Sequence, residues 1–371
     1  MRILRIVILF IVTVASFSFS AEACRFTVRE IAYSILSQTK FTFVIIDKQQ
    51  SPESAVIREL SAYDKLSNVN VVVLNESEDG AHPFVELATS KGLDFPAYFI
   101  LAPNNDILSL HEGSTLKSAE LKSLFHQQVL NSPVRDELLT NCHASFARVL
   151  LLESDDEAMN HQAAEVITEN CRQINDLIPM MPKEIRIPPT ILRVPRSTVT
   201  DEKVFLWSLG LDSLTAEPRA VVLYGRGRLM GRPIGYQQIL EGLTYKYMTL
   251  IGADCECGID RKWMLGRQAL LKWDATASQQ LATEVGFDVD SPSILAEMSR
   301  IIAKEVEEEN VNTISFGPEN IDVDHAFGLN RQEEEAAEEP SHFYVALFAS
   351  LGCLFLLILL ISFIVWKRAK R

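Results

Sequence analysis

Two cysteines one residue apart, in Gly252-Ala-Asp254-Cys255-Glu256-Cys257-Gly258, are the densest concentration of reactive chemistry in this chain. Cys255 and Cys257 can place two thiolates on one soft metal ion, copper(I) or zinc, or act as a dithiol that exchanges with disulfides. Arg261 and Lys262 close behind favour the thiolate form. Against metal binding, two ligands leave a tetrahedral site half filled, and the seven histidines are scattered. The same pair can instead be structural, each cysteine bridging a different partner, with Cys142 and Cys171 as candidate disulfide partners. Four cysteines allow three pairings, and spacing does not choose among them.

A second cluster is Gly225-Arg226-Gly227-Arg228-Leu-Met-Gly231-Arg232, a run of cations in an acidic chain. Its glycines are not spaced as a dinucleotide fingerprint, and a strand rather than a helix follows, which excludes that site. Arg226, Arg228 and Arg232 could grip a carboxylate or phosphate on a partner. The plainer reading is a hairpin turn whose glycines supply positive φ and whose arginines pair with nearby acids. Cys142-His143 is no nucleophile and base, because adjacent residues rarely face each other. Asn75-Glu76-Ser77 fits a glycosylation sequon at a level near chance. There is no P-loop, no His-Glu-x-x-His, no Gly-x-Ser-x-Gly and no calcium loop.

The two ends of the chain set the expected topology. Ile6 to Ala15 after Arg2 and Arg5 has the length of a signal-peptide core, with small residues at Ser18, Ser20, Ala21 and Ala23. Phe343 to Trp366 is uncharged and spans about 36 Å at roughly 1.5 Å per residue, enough for one membrane crossing. Lys367, Arg368, Lys370 and Arg371 would hold its end in the cytoplasm. Of 35 Lys and Arg, six lie in leader and tail, so 29 face 49 Asp and Glu, a balance of −20. That excludes broad binding to nucleic acid or anionic lipid. The run Glu333-Glu-Glu-Ala-Ala-Glu-Glu339 is a solvated juxtamembrane linker.

The elements between these ends alternate strand and helix, an α/β pattern. Lys40 to Asp47 is dense in β-branched and aromatic residues and reads as a buried strand, Ser51-Pro52 opens a helix with Val56, Ile57, Leu60 and Tyr63 on one face, and Asn70 to Leu74 is a parallel partner strand. A helix over Pro83 to Ser90, strands at Ala97 to Ala102 and Ile107 to Leu110, and a helix over Ser118 to Val129 complete the first half. The second half repeats the theme: a strand from Phe146 to Glu153, a helix from Glu157 to Ile174, a proline-broken surface stretch from Ile178 to Pro195, a strand at Lys203 to Trp207, a strand at Ala220 to Tyr224, and Leu229-Met230 after the glycine turn. Helices follow from Ser278 to Glu309.

The order β-α-β-α-Pro-β-turn-β-α, with Phe95-Pro96 just before a central strand, resembles the thioredoxin fold. Pro218, after Glu217, holds the equivalent place in the second half. The resemblance implies two tandem thioredoxin-like domains and a peptide groove beside each proline, at Phe95, Pro96, Glu217 and Pro218; with the apolar run 343–366 the expected architecture is α/β, these two domains plus a C-terminal single transmembrane helix. The family's redox Cys-x-x-Cys is absent: the two junctions read Lys48-Gln49-Gln50-Ser51 and Ser154-Asp155-Asp156-Glu157. No thiol there means no thioredoxin-type exchange. Ala23 to Glu30, taken with Leu223 to Arg228 and Asp254 to Asp260, is also similar to uncharacterised exported, membrane-anchored proteins of planctomycete-type bacteria, which implies a bacterial inner-membrane protein with its ectodomain in the periplasm.

The expected organisation is a signal peptide over 1–23, domain one over 24–135, domain two with its proline-rich insertion and helical extension over 136–309, an acidic linker over 310–342, the membrane helix over 343–366 and a cytoplasmic basic tail over 367–371. The expected function is a non-enzymatic, membrane-anchored protein-binding or scaffold module without a cofactor, its partner a protein in the periplasm or inner membrane rather than nucleic acid. The alternative is thiol-disulfide exchange, or copper or zinc handling, at Cys255 and Cys257.

Overall fold

A computed structural model describes residues 26–36, 38–48, 53–140, 142–181, 183–211, 215–252, 267–273 and 275–303. All lie within one compact unit, Met1–Pro318. The leader, the acidic linker, the apolar run 343–366, the basic tail, and Cys255 and Cys257 lie outside the described residues. Among the described residues no helix is long and apolar enough to cross a membrane.

The first half begins with α1 (Val28–Ala32), started by a capping box in which the Thr27 hydroxyl accepts the Glu30 N–H and the Glu30 carboxylate accepts the Thr27 N–H. It continues through β1 (Phe41–Asp47), α2 (Ser54–Ser61), β2 (Val69–Asn75), α3 (Pro83–Ser90), β3 (Ala97–Leu101), β4 (Ile107–Glu112) and α4 (Ser118–Leu124), the last running on as a π-helical turn, Phe125–Leu130. The sheet order is β2-β1-β3-β4, with β1 and β2 parallel and the other pairs antiparallel. Alternation sends Phe43, Ile45, Tyr98 and Ile100 to one face, against Val56, Leu60, Leu121 and Phe125, and Val44, Ile46, Phe99 and Leu101 to the other, against Val85 and Ala88. The sheet is therefore sandwiched between helices, as its near-continuous apolar strands require.

The second half has the same plan. After α5 (Pro133–Leu139) come β5 (Arg148–Leu152), α6 (Glu157–Leu177), β6 (Thr190–Val194), α7 (Lys203–Ser208), β7 (Arg219–Tyr224), β8 (Arg228–Ile234), α8 (Tyr236–Leu240) and α9 (Leu243–Gly252). The order is β6-β5-β7-β8, again with one parallel pair, β5 and β6. Two expectations change here. Lys203 to Trp207 is a helix, not a strand, and the missing strand is Thr190–Val194, inside the stretch read as a proline-broken surface segment. A short, wholly apolar run carries no period when it is buried all round, so its type is not legible. Pro189 and Pro195 flank β6 rather than interrupt it, where a missing N–H is tolerated.

Helix α7 is buried on every side because both halves use it. Phe205, Leu206 and Leu209 enter the core of the second sheet, while Val204 and Trp207 enter the core of the first, Trp207 lying 5.9 Å from the Phe41 ring. The strap 267–273 ties the halves again. Asn68 donates to the Ala269 carbonyl and accepts the Leu271 N–H, and the Ala269 and Leu229 N–H groups donate to Gly227 and Arg267 carbonyls. Beyond the strap, α10 (Ala275–Val285) and α11 (Pro292–Ala303) close a satellite core of Tyr33, Cys142, Trp273, Leu281 and Val289.

Candidate functional site

The carboxyl end of β1 carries the feature most suggestive of binding. Ile46 pairs with Ala97, so continuing the register by one residue sets Asp47 opposite Pro96. By alternation Asp47 shares the face of Phe43 and Ile45. It is 2 % exposed, and its Oδ1 accepts the Lys48 N–H at 2.7 Å, while its buried Oδ2 has no partner. Leaving a buried carboxylate oxygen unpaired is unfavourable, and it is one of several such atoms among the described residues, Arg148 Nε, Arg226 Nε and Gln268 Oε1 among them. Next to Asp47, the Tyr98 hydroxyl accepts the Leu116 N–H at 3.0 Å. Burial raises the Tyr98 pKa, and the Asp47 charge adds to that rise.

The Phe95–Pro96 peptide bond is cis. The Gly113 N–H fixes this loop, donating to the carbonyls of Asp94 (3.1 Å) and Pro96 (2.9 Å). The Asp94 N–H donates to Glu112, whose carboxyl is held below the ordinary value first by the Ser109 hydroxyl and then by that N–H. Between these anchors, the N–H and C=O of Phe95 have no hydrogen-bond partner among the described residues. A half-buried aromatic residue with both backbone groups free, beside a rigid proline, can accept one residue of an extended chain in strand fashion.

The equivalent end of the second sheet makes more local hydrogen bonds and ion pairs. Pro218 is buried and Glu217 exposed, but Phe95–Pro96 is the only cis peptide bond among the described residues. The Glu217 carbonyl accepts the Thr215 hydroxyl at 2.7 Å, and the Thr215 carbonyl accepts Arg196 Nη1 at 3.2 Å. Asn160 clamps the junction after β5, accepting the Ser154 N–H at 2.8 Å and donating to the Ser154 carbonyl at 2.9 Å. Glu153 pairs with Arg193, and Asp155 with Arg196. Glu217 and Pro218 thus lie beside a loop whose carbonyls and acids are engaged locally.

The arginine loop is a correction. Gly225 and Gly227 do supply positive φ, at 55° and 68°, in the turn between β7 and β8, but the loop is buried, not presented to a partner. Arg228 is 0 % exposed and donates to the carbonyls of Ala32 (3.3 Å) and Leu36 (2.5 Å) at the end of α1, and burial pulls its pKa down to about 10. Arg226 pairs with Asp290 and lies over the Trp273 ring at 4.9 Å. A Cβ at Gly225 would meet Ala32 at 2.5 Å, and one at Gly227 would meet Leu271 at 2.2 Å. Buried guanidinium groups need internal partners, which the carbonyls at and after the end of α1 supply to Arg228, and Asp290 and the Trp273 ring supply to Arg226. Arg232 is exposed, beside Tyr247, and the three cations do not converge.

Cys142 and Cys171 are both buried free thiols, so neither makes the expected bridge. They occupy separate surroundings: Cys142 packs in the satellite core, whereas Cys171 lies on the inner face of α6. Burial pushes each thiol up to about 12, which leaves no thiolate at neutral pH for exchange. Cys142 also lines a small pocket with Arg148, Tyr224 and Trp273, with room for about one water. Among the described residues no three His, Cys, Asp or Glu side chains converge to hold a metal ion. Sequence reasoning missed Asp47 as a site residue; the available signal was a carboxylate ending an otherwise apolar strand run.

No protein-family model matches the chain, and no curated protein matches it by sequence. Among solved structures it is similar to the first two thioredoxin domains of Saccharomyces cerevisiae Eps1p, at 12% identity over 54% of this chain and 86% of that one, with a TM-score of 0.20. It is also similar to the zinc-bound form of human ERp44, at 9% identity over 61% and 60% of the two chains with a TM-score of 0.21. A third is the bb fragment of ERp72, at 10% identity over 55% and 86% with a TM-score of 0.21. The sheet order and strand directions of this chain are themselves thioredoxin-like in both halves.

Proposed function

We propose that this chain is a redox-silent thioredoxin-like module that docks an extended segment of a partner protein in the groove beside Phe95 and Pro96. The observation that carries the reading is the pair of unbonded backbone groups on Phe95, next to the cis-proline and the unpaired Asp47 oxygen. Neither strand-to-helix junction carries a cysteine, and Cys142 and Cys171 are sealed in the interior, which removes exchange chemistry from both grooves. The leader-like run at the N-terminus and the apolar run 343–366 support export and a single C-terminal anchor, with the module facing the periplasm from a bacterial inner membrane.

Amide hydrogen exchange on the full chain in detergent tests this, with extended decapeptides added at increasing concentration. Saturable protection of the Phe95 N–H, with no change at Glu217, is the expected result. Peptides that bind without protecting Phe95 would place the interface elsewhere. Reduction of an insulin disulfide by the full chain, lost in a Cys255→Ser, Cys257→Ser variant, would replace docking with thiol exchange.

A further inference from the structure

The acids around the two proline ends differ in one respect that bears on what docks. At the second sheet's end, Glu153 and Asp155 are each matched by an arginine of this chain, Asp156 caps α6, and Glu157 and Glu217 stand outside any ion pair with a described residue. At the first, Asp47, Glu76, Glu78, Asp79, Asp94 and Glu112 lie at the end of the sheet that carries Phe95 and Pro96, and none is in an ion pair with a described residue. They are brought together by pairing at one end of the sheet. Asn75 is the register partner of Asp47, the Glu76 N–H donates to the Asp47 carbonyl at 2.8 Å, and the Ser77 hydroxyl donates to the Lys48 carbonyl at 3.3 Å. Lys48 is the neighbouring cation. The carboxylate with the unpaired oxygen, Asp47, is the only buried one of the six.

We infer that the groove selects a basic segment: an extended peptide that lays its backbone along Phe95 and places a lysine or arginine side chain against the Asp47 edge and the acidic rim. This rests on the docking reading above and deepens it. An incoming cation would relieve both defects at once, supplying a charge partner to the rim and lowering the penalty on the buried oxygen. Repulsion among the rim acids disfavours acidic segments, which gives selectivity as well as attraction.

The test uses the full chain in detergent and three acetylated decapeptides of one Val/Thr/Ser backbone that differ only in two central residues: Lys-Arg, Gln-Gln or Glu-Glu. Fluorescence anisotropy is measured at low and high salt. The expected order is basic, neutral, acidic, with the basic peptide favoured about tenfold over the neutral one and that margin shrinking in high salt. Asp47→Asn should narrow the margin, and the exposed rim variant Glu78→Gln, Asp94→Asn, whose carboxylates anchor no part of the loop, should do so independently. If all three peptides protect Phe95 equally and neither variant alters their order, the groove stands and basic selectivity is wrong. If none binds, the docking reading falls, and this inference with it.

Discussion

The two halves of this molecule share one topology and have opposite endings. In the second, the loop after β5 is pinned by Asn160 to Ser154, the acids there are paired with Arg193 and Arg196, and the residue before Pro218 uses its carbonyl locally. In the first, the residue before Pro96 keeps both backbone groups free, and a buried aspartate has an oxygen with no partner. The same fold thus engages the backbone beside one proline locally and leaves that beside the other free, which is the contrast the docking proposal rests on.

The comparison depends first on the halves being one body, and that is where the largest effect should appear. Trp207→Ala empties a site that belongs to the first core while lying on a helix of the second, so it should cost about 4 kcal/mol and shift a single unfolding transition seen by probes in either half. Two separate transitions in urea would mean that the halves are independent domains. Breaking the closed end comes next. Asn160→Ala removes the clamp on Ser154 and leaves buried backbone groups unpaired, and a loss of about 2 kcal/mol in chemical denaturation is expected. The open end should respond with the opposite sign. Asp47→Asn removes an unpaired buried charge while retaining an acceptor for the Lys48 N–H, and should raise stability by about 1 kcal/mol at neutral pH. A loss there would show that Asp47 is already satisfied and erase the contrast.

The smallest expected effect is none. Because burial raises the folded-state pKa of Cys142 and Cys171 to about 12, their protonated form is favoured on folding, so the stability they contribute is full below the ordinary thiol value of 9.0 and falls as pH climbs from there toward 12. Between pH 7 and 8 a disulfide reagent should therefore leave both untouched in the folded chain and titrate both after denaturation. Rapid modification of either thiol under native conditions would reopen exchange chemistry in the second half.

Much of the first half was legible because its elements carry their own signals: β-branched runs in β1 and β2, a proline at the first turn of α3, and the Asn104-Asn105-Asp106 turn before β4. The second half was less so. The apolar run Lys203 to Trp207 follows no period because two cores bury it, and β6 hides among prolines that flank it. The arginines of the β7–β8 hairpin read as cations paired with nearby acids or as an anion clamp, since nothing local announces that Ala32 and Leu36 carbonyls, nearly two hundred residues earlier, receive one of them. Asp47 was equally silent, a single acid at the end of a strand.

By itself the amino-acid sequence determined the alternation of strands and helices, the place of Pro96 before a central strand, the glycines of the hairpin and the absence of cysteine from both junctions, because these depend on side-chain type and local backbone preference. Only the tertiary structure decided which charges are buried and which are paired. A guanidinium or carboxylate is the same group in any sequence, and whether it staples a seam or waits for a ligand depends on which distant carbonyls, arginines and aromatic rings the fold brings within hydrogen-bond reach.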